Sequence, residues 1–181
     1  ATHSHLGVEG EEELIGSGVS YCATCDGAFF KDKTVAVVGG GNTAVSDVLY
    51  LMRFAKEVYI IHRRNEFRAS PLLVERLREC GAKIKTPYTV KSLSKGEKGK
   101  LSEVTLINVD TKEEESLALD GLFVAVGQTP DTALFDLKKD EKGYIIAGED
   151  TLTSIEGVYA AGDCRVKPLR QIVTAASDGA I

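Results

Sequence analysis

Two cysteines separated by two residues, Cys22 and Cys25, are the side chains of this sequence best suited to covalent chemistry. A pair at this spacing can close a small disulfide ring, which opens and closes readily where the local field stabilises a thiolate. Asp26 follows directly, and its carboxylate can pass a proton to a leaving sulfur. These three residues are therefore the candidate catalytic group.

Half of a zinc site and an inert pair are the two alternatives for the cysteines. A structural zinc site takes four ligands. The other candidate ligands form no second close pair; they are Cys80, Cys164, His3, His5 and His62. The sequence therefore favours a redox pair, and no metal is expected.

A glycine-rich turn follows the cysteine pair, and it matches the pattern G-x-G-x-x-A with Gly39, Gly41 and Ala44. The first glycine permits a tight turn, the second lets the backbone approach a pyrophosphate, and the small third residue lets a helix pack on the preceding strand. Asn42 and Thr43 complete the turn, where the positive end of the helix faces the phosphates. A purely structural turn is the alternative.

The residues about twenty positions further on indicate which nicotinamide cofactor binds. An NAD site has an acidic residue there, which binds the ribose 2′-hydroxyl. This chain has His62, Arg63 and Arg64 instead, with Arg68 one turn later and no carboxylate before Glu66. Guanidinium groups bind the 2′-phosphate of NADP through charge-assisted, often bidentate hydrogen bonds. The cluster favours NADPH over the alternative, a solvated basic loop.

A third candidate site lies near the end of the sequence, where a predicted strand ends in Gly162 and Asp163. The glycine permits close approach of a ligand, and the carboxylate can accept a hydrogen bond from a sugar-alcohol hydroxyl. Arg170 and Gln171 then open an Ala-rich helix, which suits a phosphate or an electron-rich ring edge. A plain strand, turn and helix would give the same pattern.

The first half of the chain has the pattern of a βαβ unit. The apolar run 34–38 predicts a strand buried on both faces, the spacing over 44–55 predicts a helix, and 58–61 predicts a second strand. Ser70 and Pro71 favour the start of a second helix, which Gly81 ends.

From Lys83 to Val126 the sequence pattern predicts an antiparallel meander added to this parallel core. Its predicted strands are 83–88, 89–93, 101–109, 115–119 and 122–126. The turn at 127–131 is the candidate domain boundary. Short strands at 144–147 and 158–161 and a helix from Leu169 are expected beyond it.

Composition excludes several classes of protein. The chain has 181 residues, 43% of them hydrophobic and 27% charged, which is ordinary for a globular protein. Its net charge of −5 argues against general binding to nucleic acid or anionic membranes. No apolar run approaches a membrane span, so a cytoplasmic location is expected. The absence of an initiator Met and a helical pattern that reaches Ile181 indicate a piece of a longer protein.

Six stretches of the sequence closely resemble the low-molecular-weight thioredoxin reductases of the pyridine nucleotide-disulfide oxidoreductase family. They are CATCDG at 22–27, GGGNTA at 39–44, HRRNEFRAS at 62–70, GLFVAVGQTP at 121–130, GVYAAGD at 157–163 and RQIVTAASDG at 170–179. The resemblance implies an α/β fold, in which a Rossmann-like three-layer NADPH-binding domain with a meander is inserted into an FAD-binding domain. Residues 1–13 would be a partial FAD domain and linker, 14–126 the NADPH domain, and 127–181 the truncated C-terminal part of the FAD domain.

The resemblance also implies a role for each candidate site. Electrons would pass from NADPH to FAD, then to the Cys22–Cys25 disulfide, then to thioredoxin or a similar small dithiol protein. Cys25 would face the flavin, Cys22 would attack the partner's disulfide, and Asp26 would donate the proton. The implied cofactor contacts are Arg63, Arg64 and Arg68 for the 2′-phosphate and Asp163, Arg170 and Gln171 for FAD.

Further implications concern the whole protein. A full-length member would be a homodimer without nucleic-acid or membrane partners, and its domains would rotate at hinges near 7–10 and 127–130. The family's N-terminal glycine-rich FAD fingerprint is absent from the sequence, so the chain by itself is expected to bind NADPH without retaining FAD. An NADPH-binding module without catalysis and a related flavin-disulfide reductase with another protein partner are the alternative functions.

Overall fold

The computed structural model describes all 181 residues, which form ten strands and five α-helices. The strands are β1 (Thr2–His3), β2 (Val19–Ser20), β3 (Thr34–Val38), β4 (Glu57–Ile61), β5 (Lys83–Lys85), β6 (Tyr88–Lys95), β7 (Leu101–Asn108), β8 (Glu114–Ala118), β9 (Gly121–Val124) and β10 (Gln128–Thr129). The helices are α1 (Glu11–Leu14), α2 (Ala23–Asp26), α3 (Asn42–Leu51), α4 (Pro71–Glu79) and α5 (Ile172–Gly179). Short 3-10 turns lie at Gly27–Phe30 and Gly162–Cys164.

The chain divides into two compact units, residues 5–126 and residues 1–4 with 127–181. The larger unit has a five-stranded parallel sheet in the order β2-β9-β3-β4-β5. Strands β3 and β4 are almost continuously apolar because both faces of this sheet are covered. The predicted α/β fold with a parallel core is confirmed.

Alternate residues of the central strands enter two separate cores. Val35 and Val37 of β3 pack with the buried residues of α3 and α4, whereas Ala36 and Val38 pack with the buried residues of β6 and β7. Helices thus cover one face of the parallel sheet and the antiparallel sheet β6-β7-β8 covers the other. The unit has three layers, as expected of the predicted Rossmann-like domain.

The predicted meander was too long by one strand at each end. Its first and last strands, β5 and β9, pair in parallel with β4 and β3 and complete the central sheet. Only β6, β7 and β8 form the antiparallel meander. A strand of three or four residues is too short to show which sheet it belongs to, so periodicity alone does not assign it.

The smaller unit has little regular structure. Strand β1 pairs antiparallel with β10, and a small core contains Ile145, Ala147 and Ala160. The predicted strands at 144–147 and 158–161 were wrong: Ile145 and Tyr159 form only isolated bridges, because no extended partner strand lies beside them. Helix α5 begins at Ile172, three residues after the predicted start.

Residues 5–13 lie in the larger compact unit. The buried carboxylate of Glu11 fixes them, since it accepts hydrogen bonds from the backbone N–H groups of Leu6 (2.9 Å) and Gly7 (2.8 Å). The Tyr21 hydroxyl donates a third hydrogen bond to Glu11 at 2.8 Å. None of the helices is both long and apolar enough to span a membrane.

Candidate active site and nicotinamide site

Cys22 and Cys25 are joined by a disulfide at the start of α2. Cys22 is the N-cap residue of this helix, and its Sγ accepts a hydrogen bond from the backbone N–H of Cys25 at 3.2 Å. The Thr24 hydroxyl lies 3.4 Å from the same sulfur. Hydrogen bonds to a sulfur favour its charged form, so the opened ring would have its better-stabilised thiolate at Cys22.

Ser20 holds the carboxylate beside this ring. Its hydroxyl donates a hydrogen bond to Oδ2 of Asp26 at 2.7 Å and accepts one from the backbone N–H of Cys22 at 3.1 Å. Ser20 is buried at the end of β2, and its hydrogen bond to Asp26 is partly buried. Sequence analysis missed this residue because a serine at a strand end has no distinctive spacing. Its only signal is a polar residue just before the cysteines.

The disulfide helix packs against α3, the helix that begins at the glycine turn. Ala23 is buried in the same apolar cluster as Ala44 and Val48 of α3. A Cβ on Gly27 would lie only 3.0 Å from Leu51 and 3.1 Å from Phe54, so the chain leaves α2 in close contact with the end of α3. One helix therefore supports both the redox pair and the candidate pyrophosphate site.

The glycine turn has the geometry that its sequence predicts. Gly39 has φ of +150°, and a Cβ there would lie 2.4 Å from the carbonyl oxygen of Ala125. Gly41 is the N-cap residue of α3, and a Cβ there would meet no atom within 4 Å. The space at Gly41 is open to a ligand, and the exposed Asn42 and Thr43 form the first helical turn beside it. These residues fit a dinucleotide pyrophosphate.

His62 supports this turn from beneath. Its ring is buried, stacks on Phe67 with centroids 5.3 Å apart, and would clash with any Cβ on Gly40. Nε2 lies 3.2 Å from the carbonyl oxygen of Glu66. Burial lowers the pKa of His62, and the neighbouring arginines lower it further although the Glu66 contact opposes them. His62 was predicted as a cofactor contact, and its placement is that of a neutral positioning residue.

The arginine loop is tied to the glycine turn by two backbone donors. The N–H of Arg68 donates to the carbonyl of Gly40 at 2.7 Å, and the N–H of Ser70 donates to Oδ1 of Asn42 at 2.8 Å. Arg63, Arg64 and Arg68 are all exposed, and no ion pair of the structure involves them. Three unpaired guanidinium groups beside a pyrophosphate-binding turn fit the 2′-phosphate of NADP.

The predicted flavin contacts lie in the smaller unit. Asp163 is half-buried in the 3-10 turn, and Gln171 forms a capping box with Thr174 at the start of α5. The Arg170 guanidinium lies 4.2 Å from the centre of the Tyr144 ring, and its Nε is buried without a hydrogen-bond partner. A buried donor without a partner is costly, so this Nε fits a polar ligand that would accept its hydrogen bond.

A buried ion cluster holds the glycine of that turn. Asp178 accepts hydrogen bonds from the N–H of Gly162 (2.8 Å), from Nε and a terminal nitrogen of Arg165 (2.9 and 2.7 Å) and from Lys167 Nζ (2.7 Å). These donors hold the pKa of Asp178 well below its usual range. No group of three or more His, Cys, Asp and Glu side chains in the structure is arranged to hold a metal ion.

Comparison with known proteins agrees with this geometry. The family model for pyridine nucleotide-disulphide oxidoreductases matches residues 1–179. The thioredoxin reductase of Bacillus subtilis (strain 168) is 46% identical over 185 aligned positions, and that of Treponema pallidum (strain Nichols) is 44% identical over 183. Each alignment covers the whole of this chain.

A solved structure has a similar fold. The crystal structure of thioredoxin reductase from Streptococcus pyogenes MGAS5005 superposes with a TM-score of 0.88 at 42% identity and covers 99% of this chain. The chain spans 59% of that protein's length, and 58–59% of the lengths of the two curated relatives. The similarity therefore extends over nearly the whole of this chain and over a part of each relative.

Proposed function

This chain belongs to the pyridine nucleotide-disulphide oxidoreductase family, and we propose that it supplies the NADPH-binding and dithiol parts of a thioredoxin-disulfide reductase. The observation that carries the proposal is the Cys22–Cys25 disulfide packed on α3, whose N-terminus is the glycine turn. Residues 14–126 are assigned to NADPH, and 127–181 to part of the FAD domain. The relatives named thioredoxin reductase support the choice of partner.

The larger unit holds the nicotinamide cofactor in this proposal. Gly39 and Gly41 admit the pyrophosphate at the N-terminus of α3, where backbone N–H groups lack partners within the helix. Arg63, Arg64 and Arg68 hold the 2′-phosphate, while buried His62 keeps the turn and the arginine loop in register. In this step the chain binds the nicotinamide cofactor and orients it.

The smaller unit contributes to flavin binding. Asp163, Arg170 and Gln171 would hold FAD, with the unpartnered Nε of Arg170 as the clearest fit. When bound, NADPH supplies a hydride and FAD relays its two electrons to the disulfide. The homodimer rests on the resemblance. The cytoplasmic location, which suits a cysteine pair that must be reduced in each cycle, rests on the composition of the sequence.

The dithiol performs the last transfer. The Cys22 thiolate attacks one sulfur of the thioredoxin disulfide, and the other thioredoxin sulfur leaves as a thiolate. Cys25 then attacks Cys22 Sγ, which releases the second thioredoxin sulfur and restores the Cys22–Cys25 disulfide. Two electrons pass to thioredoxin, and Asp26, held by Ser20, supplies a proton to a departing sulfur.

Single-turnover exchange tests this step without any cofactor. The 181-residue chain is reduced, freed of reductant and mixed with oxidised thioredoxin, and the new thioredoxin thiols are counted. We expect up to one thioredoxin disulfide reduced per chain, because one Cys22–Cys25 pair holds two electrons. Cys22→Ser should abolish the exchange, and Cys25→Ser should stop at a mixed disulfide that yields no fully reduced thioredoxin. Cys80→Ser is the matched control that should leave the exchange unchanged. Wild-type chain that reduces no thioredoxin would favour an NADPH-binding module without catalysis or a different protein partner.

A further inference from the structure

A pocket of about 490 Å³ opens beside the arginine loop, on the side that faces the antiparallel sheet. Arg63 and Arg64 line it from the loop after β4. Asn108, the last residue of β7, and Lys112, in the turn that follows it, line the pocket from the antiparallel sheet. Lys112 belongs to none of the motifs in the sequence, and the proposed function does not use it.

Hydrogen bonds make the turn that carries Lys112 rigid. The Asn108 side chain accepts the backbone N–H groups of Asp110 (2.9 Å) and Thr111 (3.0 Å). The N–H of Lys112 donates to the backbone carbonyl of Asn108 at 3.0 Å. The position of Lys112 at the pocket is therefore fixed by the chain around it.

Lys112 has φ of +64°, in the left-handed region that glycine and asparagine occupy most easily. A lysine there is strained relative to right-handed backbone, because its Cβ approaches the following carbonyl oxygen. The strain points to a use for this side chain, because glycine or asparagine would form the same turn with less strain.

The charges around Lys112 leave it without an anionic partner. Its Nζ donates to the backbone carbonyl of Val109 at 2.5 Å and pairs with no carboxylate. The three glutamates that follow it make other contacts: Glu113 with the hydroxyl of Thr111, Glu114 with Lys91 and Glu115 with Lys85. The pocket thus has three unpaired cations, in a chain whose net charge is −5.

We propose that Lys112 is a further ligand of the 2′-phosphate of NADPH, acting in this pocket together with Arg63 and Arg64. The inference rests on the proposed nicotinamide site and adds a specificity residue from the meander. Lys112 Nζ exchanges a neutral carbonyl for a doubly charged phosphate, which is the stronger acceptor. A cofactor without the 2′-phosphate gains nothing from this lysine.

Binding of adenosine 2′,5′-bisphosphate to the 181-residue chain tests the proposal, with 5′-AMP as the probe that lacks the 2′-phosphate. Lys112→Asn removes the charge and keeps a residue that tolerates left-handed backbone. We expect this variant to bind adenosine 2′,5′-bisphosphate and NADPH about three- to tenfold more weakly, as for the loss of one solvent-exposed charged contact. Its affinity for 5′-AMP and NADH should be unchanged. Its unfolding free energy should equal or exceed that of the wild type.

Lys98→Asn is the matched control, since it removes an exposed lysine from the turn between β6 and β7. It should leave the affinity for both probes at the wild-type value. If Lys112→Asn binds adenosine 2′,5′-bisphosphate with wild-type affinity while Arg63→Ala binds it more weakly, the role of Lys112 is overturned and the nicotinamide site is retained. A wild-type chain that binds both probes equally would refute the nicotinamide site and, with it, the role of Lys112.

Discussion

The two sulfurs of the disulfide have different surroundings. Cys22 is half-buried, and its Sγ accepts the N–H of Cys25, whereas Cys25 is exposed. The exposed Cys25 is more accessible to a protein substrate, but a cysteine attacks a disulfide as its thiolate. We therefore expect Cys22 to be the attacking sulfur, in agreement with the role that the resemblance implies. Asp26 is oriented by Ser20, so its proton transfer depends on a residue that does not react.

Arg63→Ala tests the choice of cofactor at a single residue. The exposed Arg63 guanidinium has no carboxylate partner, so its removal breaks no ion pair within the protein. Losing one charged hydrogen bond costs about 1.5–3 kcal/mol, so NADPH affinity should fall roughly ten- to hundredfold. NADH affinity should stay nearly constant. Titration calorimetry measures both values, and equal losses for the two cofactors would contradict the assignment.

The sequence alone predicted those residues that can be recognised by their type and their spacing. The cysteine pair, the glycines and the arginines belong to this class. Ser20 and Lys112 do not, because their relevance depends on a strand end and on a turn that bring them to the site. His62 was predicted for its place in the motif, and only the fold shows its ring beneath Gly40.

Among the elements, α3 connects the glycine turn to the redox pair. The bounds of α3 were predicted within a few residues because its helical period is distinctive, and those of β3 and β4 because the glycine turn indicates a strand before it and a strand after the helix. Strands β5 and β9 were assigned to the wrong sheet, because pairing partners are set by tertiary contacts that a run of three or four residues does not encode. The same limit explains the strands predicted at 144–147 and 158–161.

Asp47 provides a pH test of α3. Burial raises the pKa of this carboxyl to about 6, so the folded state binds a proton more tightly than the unfolded chain does. The penalty for ionising Asp47 in the folded state is therefore complete above pH 6, and it is relieved progressively as the pH falls from 6 towards the lower pKa of the unfolded chain. Asp47→Asn should raise the free energy of unfolding, by about 1–2 kcal/mol more at pH 7.5 than at pH 4.5.

Urea unfolding at the two pH values measures this difference. Ser46→Asn, a change at the exposed neighbour on the same helix, should show no such pH dependence. A stability change in Asp47→Asn that is the same at both pH values would show that the carboxyl is not buried as described.

For the whole molecule, the candidate sites divide between two compact units. The redox pair, the glycine turn and the arginine loop belong to residues 5–126, and the predicted flavin contacts belong to the other unit. Residues 5–13 belong to the larger unit. Their attachment depends on Glu11, whose buried contacts no local pattern reveals. The hinges near 7–10 and 127–130 stay a prediction.

The division predicts how the 181-residue chain behaves by itself. The nicotinamide contacts all come from one unit with its own core, so the chain should bind NADPH. The flavin contacts supplied by these residues are few, so FAD should be lost during purification and NADPH should not drive thioredoxin reduction. Visible absorbance measures this directly. A yellow chain with stoichiometric FAD and NADPH-dependent activity would refute the prediction.

Trapping the mixed disulfide between this chain and thioredoxin is the most direct test of whether the Cys22–Cys25 pair reduces a thioredoxin-like disulfide. The Cys25→Ser chain is reduced and mixed with a thioredoxin variant that keeps only the cysteine that Cys22 attacks. That cysteine is joined beforehand to thionitrobenzoate by a disulfide. Because the Cys25→Ser chain lacks the resolving thiol, we expect one thionitrobenzoate to be released per chain and a stable 1:1 adduct to form, which peptide mapping places at Cys22. No adduct, or one formed through Cys80 or Cys164, would contradict it.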